Sequence, residues 1–535
     1  MTDIPFEPDL DSENPPPEGV DTPDSVESTE TDQERVLRYP RYVYNPISLV
    51  GMALAIAALF AILLVFAVDV TSEEPSPYIG IFGFAVLPIP LIIGLILIPI
   101  GMWIEWRKEQ RADVGEYALP TLDMNDASHR RMFVTFITGT ILLLLLTAGG
   151  SYKVYEYTES VPFCGELCHE VMHPEYVTYM NGPHARVKCV ECHIGEGAEW
   201  YVRSKISGAY QFYSVLFNKY ARPIPTPIEN LRPARETCEK CHWPAKFHGD
   251  QMWTVSRFLN DEANTRWVIQ LVMKTGGADE STGQIHGIHW HIAQEVEYIS
   301  SDSTRTEIRE VRFHREDGTT ETYRSMFNPL DEEEAGSLSE EEIRVLDCMD
   351  CHNRPSHQYL SPRRAMDYGL EVNLLPRDLP YIKREGTNIL AADYATVEEA
   401  LSAIETGLTE FYQENYPELN GSSQEDITRA ITGVQQLYSQ HFFPKMKAKW
   451  SAYPTHIGHQ EFTGCYRCHN GTMETDEGVV IRNDCDLCHT ILAQGPNADI
   501  ADSGIDPGVF KHPEDIYEAW RDMACSECHT GGEYF

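Results

Sequence analysis

The fourteen cysteines of this 535-residue chain fall into seven local pairs, and a histidine follows every pair at once. Six have the spacing Cys-x-x-Cys-His: Cys189/Cys192/His193, Cys238/Cys241/His242, Cys348/Cys351/His352, Cys465/Cys468/His469, Cys485/Cys488/His489 and Cys525/Cys528/His529. The seventh, Cys164/Cys168/His169, has one extra residue between its cysteines. No thiol is left for a disulfide network or a nucleophile. Two thiols at this spacing add across the vinyl groups of one haem, and the next side chain reaches the iron as its proximal ligand. A zinc ribbon also uses Cys-x-x-Cys, but it pairs its knuckles and does not require a histidine after each one. The pattern therefore predicts seven c-type haems, held by these fourteen cysteines and seven histidines.

Haem of this kind is attached outside the cytoplasm, so the chain needs a route across a membrane. Three apolar stretches, about 47–68, 79–104 and 132–149, approach or exceed the roughly 20 residues that cross a hydrocarbon core. The middle one contains Pro88, Pro90 and Pro99 and is expected to be kinked. Arg35, Arg38 and Arg41 precede the first stretch, and Arg107, Lys108, Arg111, Arg130 and Arg131 lie between the second and third. The first connection has only acidic charges. Positive charge favours the cytoplasmic side, which puts the N-terminus inside and everything after about Gly150 in the periplasm, where haem is attached. More than 40 mostly polar residues before the first stretch argue against a cleaved signal peptide.

The domain order follows. Residues 1–34, acidic and without Lys or Arg, are expected to form a disordered cytoplasmic tail. Residues 35–150 form the membrane domain, and 151–360 form a tetrahaem module interrupted by a cysteine-free insertion at 251–344. Within it Thr306 to Met326 alternates around Asp317-Gly318, the mark of a β-hairpin. Residues 361–450 are an acidic helical segment in which Leu401, Ile404, Leu408 and Phe411 recur at helical spacing and serve packing. Residues 451–535 carry three motifs too closely spaced for a large apolar core, so the haems themselves are expected to form it. The fold class is mainly α: three transmembrane helices, then a haem-cored extracytoplasmic region with a small β-hairpin insertion. With 42 Lys and Arg against 82 Asp and Glu, the chain repels phosphate, and nucleic acid is excluded as a partner.

Each iron has a sixth position, whose occupant separates an electron wire from a reductase. Besides the motif histidines and the cytoplasmic-side His129, twelve histidines remain for seven irons. His357, five residues after His352, and His184, just before Cys189, are the favoured distal ligands, followed by His248. His289 and His291 share one face if their stretch is a strand, and one of that group is expected to ligate. His456, His459 and His512 are the supply for the last three motifs. No Cys-x-x-Cys-Lys motif occurs, which removes one mark of multihaem nitrite reductases.

The stretch Cys164-Gly-Glu-Leu-Cys168-His169-Glu-Val-Met172, then His184, Cys189-Val-Glu-Cys192-His193-Ile-Gly, Lys205 and Cys238-Glu-Lys-Cys241-His242-Trp-Pro, resembles the NapC/NirT/NrfH family of membrane-anchored quinol dehydrogenases over roughly residues 130–360. The resemblance implies oxidation of menaquinol from the quinone pool at the periplasmic edge of the inner membrane. Electrons would pass on to periplasmic c-type cytochromes or a reductase. Family members usually have one span and a methionine two residues after the first motif histidine. Here Met172 comes three residues after His169, with His173 beside it, and both are candidates for the distal ligand of the first haem. The family places a lysine and then an acidic residue near the quinol. Lys205 matches the lysine, Gln211 stands at the acidic position, and Glu196, Glu199 or Glu229 could substitute as base. Lys205 also suits an interfacial lysine reaching to phospholipid. Two other readings are a terminal reductase for a small oxyanion, with Arg354 and the His289-Trp290-His291 stretch at an open iron, and a relay subunit that docks a catalytic partner.

Overall fold

The computed structural model describes residues 45–71, 86–112, 123–228, 232–243, 249–279, 284–315, 317–339, 342–496 and 508–531. The chain divides into two units, Met1–Arg131 and Met132–Phe535. The acidic tail expected at 1–34 lies outside the described residues.

In the first unit two apolar helices, α1 (Pro46–Thr71) and α2 (Pro88–Ala112), pack as a pair. Glycine permits the contact: a Cβ on Gly94 would meet the carbonyl of Gly51 at 2.6 Å, and one on Gly51 would meet that of Gly94 at 2.7 Å. Small residues at a crossing let two backbones approach this closely. Ser48 Oγ donates to the Ile98 carbonyl at 2.9 Å across the same contact. The three prolines of the middle stretch do not all act as expected. Pro88 and Pro90 fall in the first turn of α2, where a missing N–H costs nothing, and only Pro99 lies in the helix interior. Residues 79–85, counted in that span from the sequence, lie outside the described residues.

The third span is α3 (Ala127–Thr158), capped by Asp126, whose carboxylate accepts from Ser128 N–H at 2.6 Å. It continues to Thr158, beyond the expected end near 149, and so lifts its last turns clear of the apolar run. All three helices are long and apolar enough to cross a membrane. After α3 come α4 (His169–Met180) and α5 (Ala198–Leu216).

The insertion is larger than a hairpin. The expected pair is present, as β6 (Ile308–His314) and β7 (Thr320–Ser325), joined at Gly318 with φ +83°. It forms the middle of a five-stranded antiparallel sheet of order β8-β5-β6-β7-β9, with β5 (Glu295–Ser300), β8 (Arg344–Val345) and β9 (Met473–Glu474). A second sheet, β1-β2-β10, joins β1 (Gln251–Phe258) and β2 (Arg266–Met273) to β10 (His489–Gly495). A short ribbon of β3 (Gly277–Asp279) and β4 (Gln284–His286) lies between them in sequence. The extent of these sheets escaped the sequence reading because β9 and β10 come from the C-terminal motifs, with Ser325 opposite Met473 and Met273 opposite His489.

The largest apolar core belongs to four helices, α6 (Pro362–Glu371), α7 (Ile382–Ala391), α8 (Val397–Asn415) and α9 (Gln424–His441). The expected stripe on α8 is there, with Ile404 and Leu408 fully buried and Leu401 and Phe411 partly so. Inside this core the ammonium of Lys383 donates to Asp367 Oδ1 at 2.6 Å, and the same oxygen accepts the N–H of Phe258 at 3.0 Å. That carboxylate fastens the helices to β1. Burial depresses the Lys383 ammonium to about 8, and Asp367 keeps it from falling further.

Candidate haem and electron-donor sites

Five of the six regular motifs form a turn of helix or 3-10 helix at their first cysteine, and the sixth follows the helix Ala234–Cys238 that ends at its first cysteine. In three of the six the histidine N–H closes a hydrogen bond of 2.8 Å to the carbonyl of the first cysteine: His242 to Cys238, His352 to Cys348 and His529 to Cys525. That four-residue spacing brings both thiols and the imidazole to one side of the turn. The longer first motif is built differently. Cys164 sits in a turn at Val161–Gly165, Cys168 caps α4, and the extra residue spans the break between them. Gly165 is buried there, and a Cβ on it would run into the Tyr176 ring.

Thiols of successive motifs lie close together. Cys164 hydrogen-bonds Cys189, and Cys238 hydrogen-bonds Cys348. Cys192 lies within electrostatic reach of Cys241, Cys351 of Cys465 and Cys468, Cys488 of Cys465, and Cys525 of Cys485. The seven motifs are thus neighbours in the order in which the sequence presents them. Burial pushes the Cys351 thiol up to about 12.

Enclosure is not uniform along the series. Cys192, Cys241, Cys485 and Cys528 are exposed, and the other ten cysteines are partly buried. In the last motif Cys525 is partly buried and lies toward Cys485, and Cys528 is exposed.

Five of the motif histidines face a second histidine. Ring centroids lie 6.4 Å apart for His193 and His357, 6.1 Å for His242 and His184, and 5.8 Å for His469 and His291. The separation is 6.2 Å for His489 and His459 and 5.9 Å for His529 and His512. Metal–imidazole bonds of about 2 Å on either side of one iron, plus about 1 Å from each nitrogen to its ring centre, give about 6 Å. A sixth, His352, is within electrostatic reach of His289. In most of the second histidines Nδ1 faces a backbone carbonyl: Pro355 for His184 (3.1 Å), Gly276 for His289 (3.2 Å), Ile288 for His291 (2.8 Å), Glu175 for His357 (2.9 Å) and Glu514 for His512 (2.9 Å). A proton held on Nδ1 leaves the Nε2 lone pair for a metal. These residues fit c-type haem with two histidine ligands.

The remaining candidates lie elsewhere. His456 has both ring nitrogens at backbone carbonyls, Nδ1 at Asp350 and Nε2 at Thr304, each 3.0 Å away, so neither nitrogen is turned toward a motif histidine. His173 is one helical turn beyond His169 on α4 and meets Phe443 edge to face. Met172 is in the first turn of the same helix. His248 and Glu229 lie outside the described residues. His289 and His291, expected on a strand, instead flank the start of a helical turn at Trp290–Ala293, which sends their rings to different motifs.

Beside the first motif, Lys205 Nζ lies 3.3 Å from Glu159 Oε1 and 3.4 Å from Thr158 Oγ1, with its ammonium 4.7 Å from the Tyr201 ring centre. Both charges of this pair act on Cys164. Gln211, expected beside Lys205, is exposed and bonds Ser207. Glu196 and Glu199 pair with Lys240 and Arg203. The carboxylate at Lys205 is therefore Glu159. The sequence reading passed over it because it belongs to the last turn of the membrane helix, far from Lys205 in the chain.

One loop ties several motifs together. After His352, Arg354 donates to both oxygens of Glu175, at 3.1 and 3.2 Å, and stacks 4.1 Å over the Tyr453 ring. Tyr359 donates to the same carboxylate at 3.0 Å, and His357 Nδ1 lies 3.2 Å from it. Pro355 in this loop supports His184. Within the fourth motif the buried carboxylate of Asp350 accepts from Arg344 and Tyr298, both at 2.6 Å, and from Arg305 at 3.2 Å. Burial opposes its charge, but those donors hold it below the usual carboxylate range.

Residues 126–224 match the model of the NapC/NirT cytochrome c family, N-terminal region. The chain is also 43% identical over 491 residues to the cytochrome c-type protein ImcH of Geobacter sulfurreducens, an alignment covering 91% of this chain and 95% of that protein. No solved structure matches the chain. Its cysteine motifs, its membrane-length helices and this identity along nearly the whole length agree: the chain belongs to the NapC/NirT family of cytochromes c, as a membrane-anchored multihaem member.

Proposed function

We propose that this protein oxidises menaquinol at the periplasmic face of the inner membrane and delivers the electrons, through seven c-type haems, to periplasmic electron carriers. The observation that carries the reading is the Lys205–Glu159 pair beside Cys164, at the end of the membrane helix α3. A quinol gives up protons as well as electrons. Glu159 takes the hydroxyl proton, and Lys205 orients the same oxygen. Gln211 has no part in this version of the site.

Bound at the seven motifs, the haems supply one-electron transfer. The chain sets their spacing and ligands. We assign His357 to the haem of Cys189 and Cys192, His184 to that of Cys238 and Cys241, and His289 to that of Cys348 and Cys351. His291 serves the haem of Cys465 and Cys468, His459 that of Cys485 and Cys488, and His512 that of Cys525 and Cys528, while His456 serves none. Two histidines at each of six irons favour transfer over reduction of an oxyanion, which needs an open iron position.

Anaerobic mixing of the oxidised protein with a menaquinol analogue, followed at the haem absorbance bands, tests the reading. Glu159→Gln and Lys205→Ala are each expected to slow reduction by about 10²-fold, the usual weight of a positioned acid–base group. Dithionite should still reduce both variants fully. Wild-type protein that dithionite reduces and the quinol analogue does not would overturn quinol oxidation in favour of a relay fed by a protein partner.

A further inference from the structure

Helix α5 leaves an apolar face without a partner. Val202, Ile206, Tyr210, Tyr213 and Phe217 follow one another at intervals of four, four, three and four, which places them on one stripe. Ile206 and Tyr210 are each 68% exposed and Phe217 61%. The opposite side is engaged: Ser214 is buried, and Val215 packs against the cluster of Tyr359, Phe443 and Tyr453. The helix is thus tied down at its start, through Tyr201 and Lys205, and near its end, through Ser214 and Val215, while its aromatic and aliphatic face, with Phe212 and Leu216 beside it, stays outside. Single exposed apolar residues are ordinary, but a contiguous run of this length marks an interaction surface.

The neighbours of the stripe indicate what covers it. The last turns of α3 bear Tyr152, Tyr155 and Tyr157, all exposed, and such tyrosines mark the level at which a membrane helix leaves the hydrocarbon. The Tyr155 ring lies 5.9 Å from that of Tyr201, and Lys205 reaches Thr158 and Glu159, so α5 begins at that level. The contacts lie within one turn of each helix. Cations flank the stripe: Arg203 lies 5.2 Å over the Trp200 ring, and Lys219 Nζ donates to the Tyr213 hydroxyl at 2.7 Å. Apolar and aromatic side chains on one face with basic groups at its edges are the composition of a helix lying in a lipid interface.

We propose that α5 is an interfacial helix whose Val202–Phe217 face rests in the phospholipid surface at the end of α3. The proposal rests on α3 crossing the bilayer and is independent of quinol chemistry. Its consequence is that Lys205, between the stripe and the body, sits where a lipid-dissolved molecule can reach it without leaving the membrane.

Photolabelling tests it. Full-length holoprotein in phosphatidylcholine–phosphatidylglycerol vesicles containing a diazirine-tailed phosphatidylcholine is irradiated and mapped by peptide mass spectrometry. Adducts are expected in the three spans and also in 198–217, with none in 397–441. Adducts in the spans but not in 198–217 would overturn the proposal while leaving the membrane reading intact, as would protein crosslinks to a second copy in their place. A sample without adducts in any span would overturn both. In Ile206→Asn/Tyr210→Asn, with seven haems still attached, labelling of 198–217 is expected to fall at least about fivefold, and unchanged labelling counts against the proposal.

Discussion

The guanidinium of Arg467 donates to the backbone carbonyl of Asp350 at 2.7 Å, so a residue between the cysteines of the fifth motif holds a residue between the cysteines of the fourth. Its other amino group donates to the carbonyl of Arg305, also at 2.7 Å. The last haem site of the family-like part is thereby bonded directly to the first of the C-terminal part. The Nε of Arg467 donates to the Gly464 carbonyl at 2.9 Å, so Arg467→Met removes three hydrogen bonds and takes their side-chain donor from the carbonyls of Arg305 and Gly464, which should cost about 2–4 kcal/mol. Urea unfolding of the oxidised holoprotein, followed by haem absorbance, measures it. Arg467→Lys should recover less than half, because one ammonium does not reproduce the fork.

Glu175 should tune one haem. Its carboxylate lies 3.2 Å from Nδ1 of His357, and a carboxylate behind a ligating imidazole makes that ring a stronger donor to ferric iron. Glu175→Gln therefore raises one midpoint potential, by about 59 mV if the effect is tenfold for a one-electron couple. A spectroelectrochemical titration resolves that single component. The low-spin spectrum should be unchanged, whereas His357→Ala should alter it.

His441 contributes a pH dependence. Burial at the end of α9 holds its imidazole down at about 4, against an ordinary 6.5, so the folded ring stays neutral while the unfolded ring binds a proton. Its contribution is fully present above about pH 6.5 and is lost as pH falls toward 4. Over that window the loss is about 3 kcal/mol. The gap between denaturation midpoints at pH 7 and pH 4.5 should narrow in His441→Gln.

Gly94 should not tolerate a side chain. Any Cβ there meets the Gly51 carbonyl and the Ala55 backbone, so Gly94→Leu must separate α1 from α2. The expected result is protein of full haem content whose 46–112 segment is cleaved by protease in detergent at least about tenfold faster. Leucine at exposed Ile96 should leave that rate unchanged.

Covalent chemistry makes the proximal sites legible in the sequence, because thiols and histidine must be adjacent in the chain to meet one porphyrin. Distal partners carry no such constraint. His184 stands beside the second motif in sequence, yet its ring faces His242 of the third. His357 follows the fourth motif and faces His193 of the second. The membrane helices were legible from unbroken apolar runs. Glu159 was not, since nothing in a helix terminus announces the side chain that a distant helix brings to it. Nor does motif spacing tell how deeply a cysteine lies, which is why exposed Cys528 and half-buried Cys525 read alike in the chain. The acidic helices α8 and α9 showed through their stripes, whereas the sheets stayed hidden because their outer strands are two to seven residues long and lie far downstream.

Strands β9 and β10 have a consequence for how the molecule can be made. Each completes a sheet whose other members come well over a hundred residues earlier in the chain, so those sheets keep an unpaired edge until the C-terminal motifs emerge. Those sheets are therefore completed only late in synthesis. A chain cut short before residue 473 would keep at most five haem motifs and two exposed edges. Premature termination should thus give insoluble material, not a working shorter wire.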